Sequence, residues 1–485
     1  MSLAPELVRA FEAVLGADSV IRDPADLKTY ECDGLTGYRV VPALVVLPRS
    51  TRDVQAAVRL CHEHAIPFVA RGAGTCLSGG AVPEADGIVI SLARMSRILE
   101  VDVESGRVTV EPGVTNLAVT QAVAPHGFYY APDPSSQQVC TIGGNVAENS
   151  GGAHCLKHGF TVNHVTALEI VLANGEVAYL GAGKGLDAPG PDLLGVFIGS
   201  EGTLGIATRI TLRVLRKPEA VQTLLAGFVS TTEAGAAVSG VVAAGILASA
   251  MEIMDRLTLE AVEAAVHPGY PDAGSILIVD LDGATVQVED DMRRVEQICR
   301  DSGATEIRIA CDDAERILFW KGRKAAFAAV GRVSPNYYVQ DGVVPRTRLP
   351  EALDRIAALE REHGLRVGNV FHAGDGNLHP LVLYDRSVSG EPERAKVLAD
   401  AILEVCIDAG GSLTGEHGIG TDKACRMPLM FSEVDIETMK RLRTAFDPDG
   451  LCNPGKLFPT PRLCGEVPGP YRAHPLELAG VAERF

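Results

Sequence analysis

The sequence predicts an α+β chain folded as two domains. The chain has 485 residues, too many for one ordinary hydrophobic core. Strand and helix signals alternate up to a composition shift at Lys217-Pro218. Beyond that point a β-α-β spacing occurs twice, as in a ferredoxin-like antiparallel sheet with helices on one face.

The elements follow in order. Leu44 to Leu47 is an apolar strand ended by Pro48, and Thr51 opens a helix whose Val54, Ala57, Val58 and Cys61 share one face. Pro67 to Ala70 resumes a strand, and further strands are expected at 88–92, 98–103 and 107–111. In ALEIVLANGEVAYL (167–180), Asn-Gly between two apolar runs predicts a hairpin. After Pro218 come a strand at 224–229, an Ala-rich helix, a strand at 275–283, a charged helix at 286–302 and a strand at 306–310. The uncharged stretch 234–251 falls just short of the ~20 apolar residues of a spanning helix. Its Ala, Gly and Ser suit a helix packed on a sheet, so no direct membrane span is expected.

Composition narrows the function classes. Hydrophobic residues make up 46% and charged residues 22%, ordinary for a soluble globular protein. A net charge of -18 with no basic run makes nucleic acid and anionic lipid poor partners. An anionic substrate must therefore find locally placed cations. The 11 Cys are scattered without a CxxC pair, which predicts reduced thiols in a cytoplasmic setting and no iron–sulfur ligation. The first twenty residues lack a basic n-region and an apolar h-region, so no export signal is expected.

RGAGTCLSGG (71–80) directly follows a strand. Closely spaced Gly residues let backbone N–H groups converge on one anion, and pyrophosphate is the usual guest. Leu77 breaks the dinucleotide Rossmann pattern, and Gly80 stands where a Walker loop needs Lys. APDPSSQ (131–137) with TIGGNVAENSGG (141–152) forms a second block, and GSEGTLGI (199–206) a third. Turns alone do not require three such blocks.

VFHAGDGNLHP (370–380) and TGEHGIG (414–420) bracket His residues with Gly. Gly374 and Gly376 flank Asp375, which favours a turn between strands that brings His372 and His379 together. Glu416 would complete a His₂Glu set suited to Zn²⁺ or another borderline divalent ion, leaving His417 as a base. The alternative is unrelated His residues in surface loops. No HExxH is present, so a zinc-protease helix is not supported. In ERILFWKGRKAAF (315–327), Trp320, Arg323 and Phe327 share one stripe. An Arg there needs a partner, either a bidentate substrate carboxylate or an internal Asp or Glu.

The three Gly-rich blocks closely resemble the FAD-binding domain of the vanillyl-alcohol oxidase / PCMH superfamily. The resemblance implies FAD, with 71–76 at the pyrophosphate, 141–152 along the isoalloxazine and 199–206 at the adenosine end. The candidate cofactor residues are Arg71, Gly72, Ala73, Gly74, Thr75, Gly79, Pro132, Asp133, Thr141, Gly143, Gly144, Asn145, Ser150, Gly151, Glu201, Gly205, Ile206 and Asn453. Thr75 stands where some relatives carry the His that attaches flavin covalently, so non-covalent FAD is expected.

WKGRK, FHAGDGNLHP, GEHGIG and FDPDGLCNPGKLFP resemble the FAD-linked 2-hydroxy-acid dehydrogenases, above all the FAD-linked subunits of bacterial glycolate oxidases, over roughly Tyr30 to Phe458. The expected division is a PCMH-type FAD-binding domain (1–217), a ferredoxin-like substrate and metal domain (218–440) and a C-terminal segment returning to the FAD domain (441–485). The expected chemistry is oxidation of a short 2-hydroxy acid, glycolate or D-lactate. Arg323 grips the carboxylate; a metal on His372, His379 and Glu416 binds the 2-hydroxyl, Zn²⁺ first and Mn or Fe as alternatives; His417 is the base. Gln340 stands where 2-hydroxyglutarate dehydrogenases carry Lys, and Phe327 where they carry Thr, which favours a short substrate. The resemblance also implies an iron–sulfur subunit and a second flavin-type subunit as partners, through which a cytoplasmic chain would sit peripherally at the inner membrane. The alternatives are a stand-alone D-lactate or D-2-hydroxyglutarate dehydrogenase, a non-catalytic flavin-binding subunit and a flavin-free metal hydrolase.

Overall fold

The computed structural model describes residues 3–182 and 190–460. It begins with a four-stranded sheet in which Val20–Ile21, Leu44–Val46, Ile88–Ser91 and Phe68–Arg71 are neighbours in that order, the last three parallel. The helix Thr51–Glu63 makes one crossover. The Ser50 hydroxyl accepts the Asp53 N–H at its start, and Val54, Ala57, Val58 and Cys61 are buried. A five-stranded antiparallel sheet follows, ordered Ile98–Asp102, Arg107–Val110, Ile206–Arg213, Val165–Val171, Val177–Gly181. Its last two strands form a hairpin, and Gly175 in the turn takes φ +79°. Residues 451–453 join this region, since Phe68 N–H donates to the Leu451 carbonyl and Asn453 N–H to the Phe68 carbonyl; of the expected returning segment 441–485, residues 461–485 lie outside the described residues.

The later residues build an eight-stranded sheet. Glu306–Ile309, Ala220–Phe228, Ser275–Gly283 and Ala250–Asp255 lie side by side, the ferredoxin-like order of fourth, first, third and second strand. Val367–His372, Asn377–Tyr384 and Asn336–Val339 extend it, and Gly342–Val343 pairs with Asn377–Tyr384.

Helices cover both faces of this sheet, not the single face expected. Thr231–Ala243, Thr285–Asp301, Leu349–His363 and Glu391–Asp408 pack on one side. Arg256–Val266 and Asp313–Val330 pack on the other. The reason lies in the strands: residues 275–281 are buried without alternation, so both faces are apolar and both need cover. The stretch 234–251 divides into the end of a helix, with Ala234, Ala237, Val238 and Val241 buried, and the start of strand Ala250–Asp255. No described helix is long and apolar enough to cross a membrane. Cys425 is disulfide-bonded, a departure from the expected reduced thiols.

Candidate active site

Strand alternation places the site. Ala250, Met254, Val370 and Leu381 face the helices Arg256–Val266 and Asp313–Val330. Residues two apart share a face, so Glu252, His372 and His379 point the same way. Glu252 lies directly opposite His372 on the neighbouring strand, and Val370 opposite His379. The turn at Gly374-Asp375-Gly376 closes the hairpin and leaves the two imidazole centroids 5.0 Å apart. The loop 414–420 adds Glu416 and His417.

His372 Nε2 lies 3.4 Å and His379 Nε2 3.0 Å from the same Glu416 Oε1. The other ring nitrogens are engaged: His372 Nδ1–H donates to Glu252 Oε1 at 2.8 Å and His379 Nδ1–H to the Gln340 carbonyl at 3.3 Å. These partners assign the tautomers and leave both Nε2 lone pairs converging on one point. His379 Nε2 is buried and makes no hydrogen bond. Two imidazoles and a carboxylate with ligand atoms within 4.8 Å of one another fit a borderline divalent cation.

His417 stacks on His379 with centroids 4.8 Å apart and planes inclined by 14°. Burial, opposed by Asp341 and reinforced by His379, lowers its pKa to about 4. The ring is therefore neutral at pH 7, and its buried Nδ1 makes no hydrogen bond. Asp341, His379 and His417 form a second three-residue group. Its Asp341 carboxylate, however, already accepts from the Thr414 hydroxyl and from the N–H groups of Gly415, Glu416 and His417.

Arg323 is 2% exposed, and its Nη2 lies 2.5 Å from Glu252 Oε2. The contact is an ion pair without hydrogen-bond geometry, so Nε and Nη2 carry no hydrogen bond. Of the two partners the sequence left open, an internal acid is present. No motif marks Glu252, and its one signal in the sequence is a lone carboxylate in the otherwise apolar stretch AMEIM. At this turn of the helix the cavity wall is made by Lys324, Phe327 and Ala328, with Arg323 behind it.

That cavity has a volume of about 1180 Å³ and runs along all three Gly-rich blocks to His379, Glu416 and His417. Arg71, Gly72, Ala73, Gly74, Thr75, Thr141, Gly143, Gly144, Asn145, Ser150, Glu201, Gly205 and Ile206 line it. The first two blocks touch: a Cβ on Gly72 would collide with Thr141 Oγ1. Five candidate cofactor residues lie behind the wall instead. Gly79 packs on Thr421, and Gly151 sits against Glu416 and Phe160. The Pro132 carbonyl accepts from Asn116, and Asp133 pairs with His154. Asn453 bridges the carbonyls of Gly80 and Glu201. Tyr38 and Tyr338 line the cavity without any Gly signal to mark them, and Glu148 does so from within the second block. One cavity that joins Arg71 and the closely set Gly-rich backbone to the His–Glu group fits FAD.

A family described as "FAD binding domain" matches residues 42–181, and one described as "FAD linked oxidases, C-terminal domain" matches 217–457. The chain is 50% identical over 448 residues to the glycolate oxidase subunit GlcD of Escherichia coli (strain K12), covering 92% of this chain and 90% of that one. It is 37% identical to glycolate oxidase subunit GlcD of Bacillus subtilis, over 92% and 95% of the two chains. It is 32% identical to a D-lactate dehydrogenase of Anaerostipes hadrus, over 94% and 98%. Among solved structures, p-cresol methylhydroxylase with substrate bound superposes with a TM-score of 0.80 over 93% of this chain and 96% of that one; at 19% identity the likeness is one of fold. The chain thus belongs to the FAD-linked oxidases, with a PCMH-type FAD-binding domain and an antiparallel α+β second domain, and is a homologue of the GlcD subunits within that family.

Proposed function

We propose that the chain oxidises a short 2-hydroxy acid, glycolate or D-lactate, to the 2-oxo acid as the catalytic subunit of a glycolate oxidase-type complex. The observation that carries this is the single cavity joining the Gly-rich blocks to His379, Glu416 and His417. FAD supplies hydride acceptance from C2 when bound there. A divalent ion on His372, His379 and Glu416, Zn²⁺ or else Mn or Fe, supplies Lewis acidity towards the 2-hydroxyl. His417, neutral and stacked on His379, takes the hydroxyl proton. Arg323, whose Nη2 is ion-paired to Glu252 and whose Nε carries no hydrogen bond, supplies the cation for the substrate carboxylate. Phe327 edges the cavity and packs on His379, giving the substrate tail an apolar neighbour.

The chain carries no iron–sulfur ligand pattern, so electrons leave to partners: an iron–sulfur subunit and a second flavin-type subunit. In this reading the chain is cytoplasmic and reaches the inner membrane only through them. Full-length similarity to the Anaerostipes hadrus protein supports a second reading, a stand-alone D-lactate dehydrogenase.

The test is a panel of glycolate, D-lactate and D-2-hydroxyglutarate with a dye acceptor, before and after chelation and after metal return. Turnover of the short acids, lost on chelation and restored by metal, is expected. A colourless preparation, or turnover of none of the acids, sinks the proposal.

A further inference from the structure

The loop 414–420 carries Glu416 and His417, and all its backbone N–H groups from Gly415 to Gly420 end on side-chain acceptors. Asp341 accepts from Gly415 at 3.0 Å, Glu416 at 3.2 Å and His417 at 2.9 Å. Gly418 N–H turns back to Thr414 Oγ1 at 3.0 Å, and that hydroxyl donates to Asp341 at 2.5 Å. Glu201 then accepts from Ile419 at 2.6 Å and Gly420 at 2.7 Å. Asp341 follows strand Asn336–Val339 of the eight-stranded sheet, whereas Glu201 lies five residues before the strand Ile206–Arg213 on the FAD-binding side. One carboxylate from each side therefore grips the same loop, just before and just after His417.

Both acids are buried, Asp341 at 0% and Glu201 at 4% exposure. A buried carboxylate is costly unless its oxygens are filled by donors, and these donors come from the loop. Glu201 is itself held in place. It takes φ +52°, rare for a residue with a side chain, and its carbonyl accepts from Asn453 Nδ2 at 2.7 Å. Glu201 lines the cavity, and its carboxylate oxygens accept from Ile419 and Gly420.

We infer that Glu201 is a positioning residue which, with Asp341, sets His417 against the FAD cavity. The inference rests on His417 being the base. Because the loop answers to both sides of the cavity, small errors in its placement fall directly on the proton-transfer geometry.

Glu201→Gln keeps length and one acceptor but turns the other acceptor oxygen into a donor facing a backbone N–H. The variant is expected to retain flavin absorbance and bound metal and to keep KM for the acid within about twofold. Its kcat and its anaerobic flavin bleaching by the acid should fall about 10- to 100-fold, the scale of a misplaced catalytic group. A merely structural role would lower Tm without this split of kcat from KM. Bleaching at the wild-type rate, or loss of FAD from the variant, overturns the inference. Should Glu201→Gln fail to fold, Asp341→Asn carries the same expected split, and a wild-type kcat in it overturns the inference equally. Amide exchange separates this from the functional reading: Glu201→Gln should speed exchange at Ile419 and Gly420 whatever the substrate, whereas a wild-type chain that no 2-hydroxy acid bleaches condemns only the functional reading. Unchanged exchange at both amides overturns the clamp.

Discussion

Glu252 and His372 face each other on adjacent antiparallel strands, and His372 Nδ1–H donates to Glu252 Oε1 at 2.8 Å. The other Glu252 oxygen meets Arg323. One buried carboxylate thus orients a candidate metal ligand and balances the candidate carboxylate-binding cation. Removing such a partner of a metal-bound His costs about 10- to 100-fold in metal affinity. Glu252→Gln is expected to lose metal to a competing chelator by that factor. Wild-type metal affinity in the variant would show that Glu252 serves Arg323 alone.

The two His residues that stack are expected to separate in function. His379→Ala should lose metal and activity together. His417→Ala should keep the metal and lose about 10²–10⁴ in kcat, the range for a general base. Metal content and turnover measured on the same preparations check this, and an empty site in His417→Ala would make His417 a ligand.

Gly74 takes φ +69°, and a Cβ there would collide with the Arg71 guanidinium. Gly74→Asp adds a carboxylate to that clash, where a pyrophosphate would lie. The variant is expected to purify folded but colourless. Stoichiometric flavin in it would show that the loop 71–76 is not the phosphate cradle.

Substrate length is expected to discriminate. Gln340 is fully buried, and both side-chain polar atoms lack hydrogen bonds. A neutral amide at position 340 and an apolar Phe327 on the cavity wall offer a distal carboxylate no compensating charge. Glycolate and D-lactate should exceed D-2-hydroxyglutarate in kcat/KM by about tenfold or more, equivalent to ~1.4 kcal/mol. Rates for all three acids on one preparation decide it, and a preference for the dicarboxylate would refute this role for Gln340 and Phe327.

His154 stacks on Trp320 and lies 3.0 Å from Asp133 and 3.9 Å from Asp280. Burial disfavours its charged ring, but Asp133 and Asp280 together outweigh burial and raise its pKa from 6.5 to about 10. A His raised in the folded state stabilises fully below its unfolded pKa and ceases to do so as pH passes the folded one. The Tm difference between the wild type and His154→Gln should therefore be largest near pH 6 and fade towards pH 10. A difference that grows with pH would mean the ring is neutral when folded.

The sequence by itself determined what is local. Periodicity marked the helix Thr51–Glu63 and its buried face, Asn-Gly marked the hairpin after Val171, and the Gly-rich blocks marked the cavity wall. Gly-Asp-Gly between His372 and His379 marked the turn that brings their rings together, because turn chemistry is written in adjacent residues. Only the tertiary structure decided who meets whom across the chain. His372 finds Glu252 at a separation of 120 residues, and Ile419 finds Glu201 at 218. Such pairs depend on sheet register and on how the FAD-binding side meets the eight-stranded sheet, and a lone Glu in an apolar strand names no partner. Local sequence likewise showed that Arg323 needed an anion without showing which, and marked buried strand faces without showing that helices would cover both.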